Sequence, residues 1–375
     1  MSQNDEKITI LRGPERIRRR AAVLFGDDGA EGVRECLSLL VEVFASPLAS
    51  GSCKHLRIKR SEADVITLEG EDPGLYLCPP DAPTDAIWQE VFCNLHTPPR
   101  DPYEYSLMTR QDLFAPTDGD LEGYSWSQLH LYGAQCASEF FDVRVRRDGW
   151  EYSLHFEKGE NKGGLTRKAY RGPSGTCFTF RPDGEVFREN CLPAEALPET
   201  GRLLSLAYPG LSVTILDEKL GLEQVFCCPN GILDALPAEA IPVYTAAGYA
   251  KGKERYDREE YEASVRLALT FCPEGGAECI HNKRWLPLGG THLDALYKRL
   301  RVCLEARLGC KLTLKKVKAC AKLVLVTDAE ETLWVNGSRK SIQNTLLRDM
   351  TEDTLEENFL GYLDYHRDLL RALFV

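Results

Sequence analysis

Fourteen cysteines and seven histidines are the side chains of this 375-residue sequence most able to do chemistry, and neither set is arranged for it. The cysteines contain no CxxC pair and no Cys/His cluster at zinc spacing. The histidines are dispersed and read as surface or satisfied core residues. No Walker loop, G-x-S-x-G elbow or HExxH helix is present. Two stretches offer backbone chemistry instead. Gly289-Gly290 precedes a predicted helix, either as an anion cradle at the helix N-terminus or as a glycine turn with Thr291 as N-cap. "VNGSRKS" (335–341) is a basic turn, either a solvated loop or a phosphate contact. "RIRRR" (Arg16–Arg20) is the densest basic run, either an exposed helix turn or a local nucleic-acid contact.

These residues need a scaffold, and the composition supplies one. At 43% hydrophobic and 27% charged residues the chain is globular, and its length predicts two domains. The formal net charge of −11 argues against non-specific duplex binding over the whole surface. No apolar run reaches the ~18 residues of a membrane span. Adjacent Cys227–Cys228 and a start, "MSQNDEKITIL", without a signal peptide predict reduced thiols in the cytoplasm.

Along the chain, "PERIRRRAAVLFG" predicts a short helix opening at Pro14. Residues 32–46 carry apolar positions at 36, 37, 39, 40, 41, 43 and 44, a stripe wide enough for a helix buried against a sheet, fraying at Pro47. "KHLRIKR" and "DVITL" alternate as strands, and "DAIWQEVFCNL" predicts a helix. Residues 96–123 predict a long functional loop or lid. The clearest hairpin lies around Asp148-Gly149. Past residue 225 come a long strand, "EYEASVRLALTF", an amphipathic helix from "GGTHLDALYKRL", the strand "AKLVLV" and two C-terminal helices. The fold class is therefore α+β.

Four stretches, in order, resemble the N-terminal half of the B subunits of DNA gyrase and topoisomerase IV. They are "ILRGPERIRRRAAVLFGD", "GSCKHLRI", "SGTCFTFRPDGEVF" and "GGTHLDALYKRL". The resemblance implies a GHKL (Bergerat) ATPase-like α/β sandwich over 1–224, then an S5-like transducer domain over 225–375. It also implies catalytic positions, and several hold unusual residues. The general base of the family corresponds to Leu39, which cannot accept a proton. The magnesium-binding Asn corresponds to Val43, which offers no oxygen. An acidic position one turn later falls on Pro47. The adenine-binding Asp falls nearest Gly70, with Glu69, Glu71 and Asp72 close enough for a shift to restore a carboxylate. The phosphate lid corresponds to "SQLHLYG", keeping Leu129, His130 and Gly133, while Gln128 and Leu131 crowd a loop that needs glycine.

Gly175 and Thr176 match the family's adenine support, and Lys340 matches the transducer lysine that reaches the γ-phosphate. Glu42, ~4.5 Å along the helix from Leu39, is a candidate relocated base. The expectation is a gyrase-B-like pseudo-ATPase without catalytic residues, metal or cofactor, lacking the topoisomerase domain. It would act as a homodimer or as a heterodimer with a gyrase or topoisomerase IV subunit. An active or split ATP- and Mg²⁺-dependent topoisomerase subunit is the alternative, and an ATP-binding sensor without hydrolysis is another.

Overall fold

The segment expected as one helix from Pro14 forms two, α1 (Glu15–Arg18) and α2 (Ala21–Phe25). Arg20 between them stands at φ −136°, outside helical geometry. Gly26 ends α2 in the left-handed region at φ 72°, as a C-terminal cap requires. The computed structural model describes residues 13–78, 87–93, 126–237, 241–254, 260–282, 284–336 and 340–375. The loop expected over 96–123 lies outside these residues, as do Ser338 and Arg339.

The broad apolar stripe forms α3 (Ala30–Val43), followed by α4 (Ala45–Ala49), which carries Pro47 in its first turn, where proline removes no helical bond. Two strands follow, β1 (His55–Arg60) and β2 (Ile66–Gly70), then α5 (Ile87–Phe92) and α6 (Trp126–Cys136). The expected hairpin is β3 (Ser138–Arg147) and β4 (Trp150–Glu157). Its turn residues Asp148 and Gly149 both take positive φ, 52° and 81°, matching the right-handed twist of the flanking strands. Short β5 (Glu160–Asn161) and β6 (Thr166–Ala169) precede β7 (Gly175–Pro182), α7 (Ala196–Ala207), β8 (Ser212–Asp217) and β9 (Leu222–Cys227). The strands order as β5-β4-β3-β7-β2-β1-β8-β9, with β6 on β4. Alternate residues such as Leu68, Phe141, Val143, Phe178 and Phe180 are buried, the period-2 signature of a sheet with one covered face. Within this part of the fold, buried Arg60 donates Nε to Asp217 Oδ1 at 2.9 Å and Nη1 to the Leu192 carbonyl at 2.8 Å.

The second sheet contains β10 (Tyr244–Gly252), β11 (Tyr261–Phe271), β12 (Gly276–His281), β13 (Arg284–Trp285) and β14 (Ala321–Ala329), ordered β10-β11-β14-β12-β13. Its helices are α8 (Thr291–Leu308) and α9 (Leu314–Cys320). At the C-terminus, three helices stand where two were expected: α10 (Thr345–Asp353), α11 (Glu357–Tyr365) and α12 (Arg367–Phe374). Both faces of this sheet are covered. Leu323 and Leu325 of β14 pack with Leu296, Leu300 and Leu304 of α8, while Val324 and Val326 pack with Leu203, Leu206 and Ala207 of α7.

Packing sorts the chain into two compact units that do not follow chain order. One holds the residues up to Ser46 with Ile58–Ala194 and Asp217–Leu222; the other holds Pro47–Arg57, Glu195–Leu216 and Glu223–Val375. No helix among the described residues is long and apolar enough to cross a membrane.

Candidate functional site

The inner face of α3 sets the floor of the candidate site. Gly29 caps its start, with its N–H donating to Asp27 Oδ1 at 2.6 Å. Leu39 and Val43 lie one turn apart and are both buried. Neither carries a group that can hold or move a proton. Glu42, the candidate relocated base, points instead toward His130 of α6, with Oε2 at 3.6 Å from Nδ1.

The most densely bonded polar group here is one the sequence left among three choices. Glu69 turns toward Arg146, at 3.6 Å, and Glu71 is exposed. Asp72 is 3% exposed, and it is the acid that meets Thr176, itself fully buried. Asp72 Oδ1 accepts the Thr176 hydroxyl at 2.9 Å and the Gly74 N–H at 2.7 Å. Its Oδ2 accepts the Thr176 N–H at 3.1 Å. The Thr176 oxygen in turn accepts the Leu75 N–H at 3.1 Å. Burial pushes the Asp72 carboxyl up to about 6, against the opposing pull of the Gly74 and Thr176 hydrogen bonds and the Arg147 charge. At this depth desolvation outweighs the three hydrogen bonds and the Arg147 charge together.

Gly70, the last residue of β2, explains what stands over that carboxylate. A Cβ on Gly70 would lie 2.5 Å from Phe44 Cε1 and 2.7 Å from Asp72 Oδ2. The ring edge of Phe44 and the carboxylate oxygen therefore converge on one point, and the missing side chain makes room for the ring. Phe44 is fully buried and packs edge-on against Phe178, with ring centroids 5.9 Å apart, a favourable aromatic geometry. Gly175 opens β7, where a Cβ would meet the Gly70 carbonyl oxygen at 2.6 Å. Gly70, Phe44, Asp72, Gly175 and Thr176 thus form one packed cluster.

Gly133 belongs to a different arrangement. The stretch expected as a phosphate lid is helical, within α6, so its N–H groups from the second turn on are spent on helical bonds. The glycine admits Leu24, whose Cδ2 would be 2.3 Å from a Cβ. Lys340 is exposed and belongs to the second unit. Its carbonyl accepts the Leu288 N–H at 3.2 Å, just ahead of the Gly289-Gly290 loop. Gly289 and Gly290 take φ values of 60° and 158°. A Cβ on Gly290 would stand 2.2 Å from the Ile342 oxygen. Thr291 is the first helical residue rather than the expected N-cap, a place Gly290 takes with no side-chain bond. The Thr291 N–H donates to the Ile342 carbonyl at 3.0 Å, so the loop is closed against its own chain.

The residues that the resemblance assigns to a magnesium ion do not fit one. Magnesium needs oxygen ligands in near-octahedral order, and Val43, at the metal-ligand position, supplies none, nor does Leu39 at the position of the base. Among the described residues, no group of three His, Cys, Asp or Glu side chains could hold a metal. An adenine amino group has an acceptor in Asp72, yet that carboxylate already takes three protons' worth of donors and lies against Phe44.

The signal for Asp72 was present in the sequence. Asp72-Pro73-Gly74 keeps the Asp-x-Gly spacing, two residues beyond the position nearest Gly70. Phe44 carried no signal, because one more aromatic on an apolar helix face is an ordinary core residue.

No protein-family model matches the chain. Among curated proteins, it is 25% identical over 311 residues to the DNA gyrase B protein of Thermus thermophilus, covering 79% of this chain and 44% of the relative. The B subunit of DNA topoisomerase 4 from Caulobacter vibrioides is 24% identical over 303 residues, 76% of this chain and 41% of the relative. The B subunit of the type 2 topoisomerase from Aquifex aeolicus is 22% identical over 385 residues, 98% of this chain and 46% of the relative. The chain spans less than half the length of these three relatives. Among solved structures, the 43K ATPase domain of T. thermophilus gyrase B, held with an aminocoumarin, superposes with a TM-score of 0.68 at 18% identity, covering 97% of this chain and 93% of that one. The B subunit of Myxococcus xanthus gyrase gives a TM-score of 0.69 at 16% identity, over 96% and 99%.

Proposed function

We propose, from the premise that this chain is similar in sequence to the B subunits of gyrase and topoisomerase IV over most of its length and shares the fold of the gyrase B ATPase region, that it works by association and does not hydrolyse ATP. One observation carries this reading: the cluster of Leu39, Val43 and Phe44. Where the resemblance puts a base and a metal ligand, α3 presents two buried hydrocarbons, and the next residue fills the space beside Asp72. Water attack on a phosphoryl group needs an oriented base and counter-charge, and Leu39 and Val43 can supply neither. The partner is a second copy of the chain or a subunit of a type II topoisomerase, met in the cytoplasm. Arg16–Arg20 is the candidate contact should DNA be touched.

The Asp72–Thr176 pair supports a second reading, a sensor that holds an adenine nucleotide without cleaving it. Calorimetry with ATP and Mg²⁺, together with a phosphate-release assay, separates the readings. Under the first, neither heat nor phosphate appears at millimolar nucleotide. Micromolar binding without turnover moves the assignment to the sensor, and turnover by the unaltered protein overturns both. A Leu39→Glu, Val43→Asn double variant is expected to stay inactive unless Phe44 is also shortened, because the added groups face a filled pocket.

A further inference from the structure

β10 is an edge strand of unusual openness. It pairs with β11 over nine consecutive residues without a bulge, from Tyr244↔Leu269 to Gly252↔Tyr261. Glu262 of β11 and Cys272, the residue just after the strand, direct backbone bonds away from β10, to Glu330 and Cys320. Alternate residues bond opposite neighbours, so the odd-numbered residues of β11 face β10. The register then assigns Tyr244, Ala246, Gly248, Ala250 and Gly252 to the ladder with β11. Thr245, Ala247, Tyr249 and Lys251 turn their N–H and C=O groups outward. Among the described residues, no backbone group pairs with that outer side, and the side chains of these four residues are exposed.

Soluble proteins usually blunt such edges with bulges, prolines, several charges or short length. This strand has none of the first two, one lysine, and nine residues. The sequence YTAAGYAKG is also complementary to itself. In an antiparallel pair centred on Gly248, Tyr249 meets Ala247 and Tyr244 meets Gly252. Ala246 then meets Ala250, Thr245 meets Lys251, and Gly248 meets its own copy. Each ring faces a small residue, and no lysine faces a lysine. The outward-bonding residues pair with one another in this register, while Gly248 falls at the close, non-bonded position, where Cα atoms approach to about 4.5 Å. Shifting the centre to Tyr249 opposes two rings, and shifting it to Ala247 opposes Tyr249 with Thr245.

We propose that β10 is a homotypic docking edge, through which two copies of this chain pair antiparallel about a two-fold axis at Gly248 and join their five-stranded sheets. An isologous contact of this kind closes on itself and stops at two. The proposal rests on the preceding reading only in taking association as the chain's mode of action, and it uses none of the nucleotide-site residues.

Sedimentation velocity on the full chain tests it. The unaltered protein is expected to dimerise reversibly below about 100 µM. Ala247→Pro removes an outward donor and no bond to β11, a substitution edge strands tolerate, and is expected to weaken the dimer at least tenfold with an unchanged circular dichroism spectrum. Thr245→Glu, set opposite Lys251 of the other copy, is expected to tighten the dimer a few-fold, and Thr245→Lys to weaken it by a similar factor. The Thr245 pair keeps the test valid if the proline variant misfolds. A monomer throughout this range, a dimer indifferent to Ala247→Pro, or equal shifts from Thr245→Glu and Thr245→Lys would each overturn the proposal. ATP turnover by the same sample would sink the preceding reading and leave this one standing.

Discussion

Two buried carboxylates, one in each compact unit, have their acidities moved in opposite directions. Asp72 is 3% exposed and Glu254 5%, yet Asp72 lies deeper within the surrounding protein and its charge bears the heavier desolvation. Glu254 is also pushed up by burial, but the hydroxyls of Thr345 and Tyr261 and the N–H groups of Thr345 and Leu346 outweigh it and hold the group low. Thr345 opens α10, so Glu254 occupies a helix N-terminus, where a negative charge is favoured. Asp72 has fewer donors and no helix end, and its charge is disfavoured. Depth and the number and placement of donors together decide whether a buried acid acts as a staple or as a disfavoured charge.

The largest effect should come from removing the staple. Glu254→Ala leaves the Tyr261 and Thr345 hydroxyls and two backbone N–H groups without their acceptor. At 1–3 kcal/mol for each buried orphan, a loss of about 5 kcal/mol is expected in urea unfolding of the C-terminal helices. A loss under about 1 kcal/mol would show that Glu254 is not holding α10.

Phe44 tests the other member of the pair. Phe44→Ala should cost about 3–5 kcal/mol by leaving a cavity beside Asp72. Gly70→Ala alone should cost about 1–3 kcal/mol, because its methyl overlaps the ring. In the double variant the second methyl enters the vacated space, so the two losses should not add. Additive losses measured by denaturation would separate Phe44 from Gly70.

The smallest effect is a pH profile. The folded protein holds the Asp72 proton up to about 6, and the unfolded chain releases it near the ordinary aspartate value. Its contribution is therefore complete below the unfolded pKa and is lost as pH rises toward about 6, by at most about 3 kcal/mol. Glu254 has the reverse sign: its contribution is present above the ordinary glutamate pKa and is lost as pH falls through its lowered value. Comparing the native protein with Asp72→Asn between pH 4 and 7 isolates the first term, and a flat difference would show that Asp72 is not destabilised by its charge.

The sequence carried these two carboxylates unequally. Strong local patterns fixed most elements: the Asp148-Gly149 hairpin, the α3 stripe, and α8 with its glycines before it. β10 escaped because alternation needs contrast, and Ala246, Gly248, Ala250 and Gly252 supply little. Glu254 follows that unrecognised strand and meets Thr345 from 91 residues away, so no local pattern could expose it. The stretch "SQLHLYG" was matched to a lid on Leu129, His130 and Gly133, when its glycine serves the approach of Leu24. Asp72 was visible as a candidate, and only its contact with Thr176 selects it from its neighbours.

The closed Gly289-Gly290 loop has a mechanical consequence. Leu288 donates to the Lys340 carbonyl at 3.2 Å, Ile342 donates to Gly289 at 3.2 Å, and Thr291 donates to Ile342 at 3.0 Å. Three main-chain bonds therefore rivet the segment behind Lys340 to the foot of an 18-residue helix. A load applied near Lys340 reaches the first residue of α8 through main-chain bonds, and it does so whatever side chains the two segments carry.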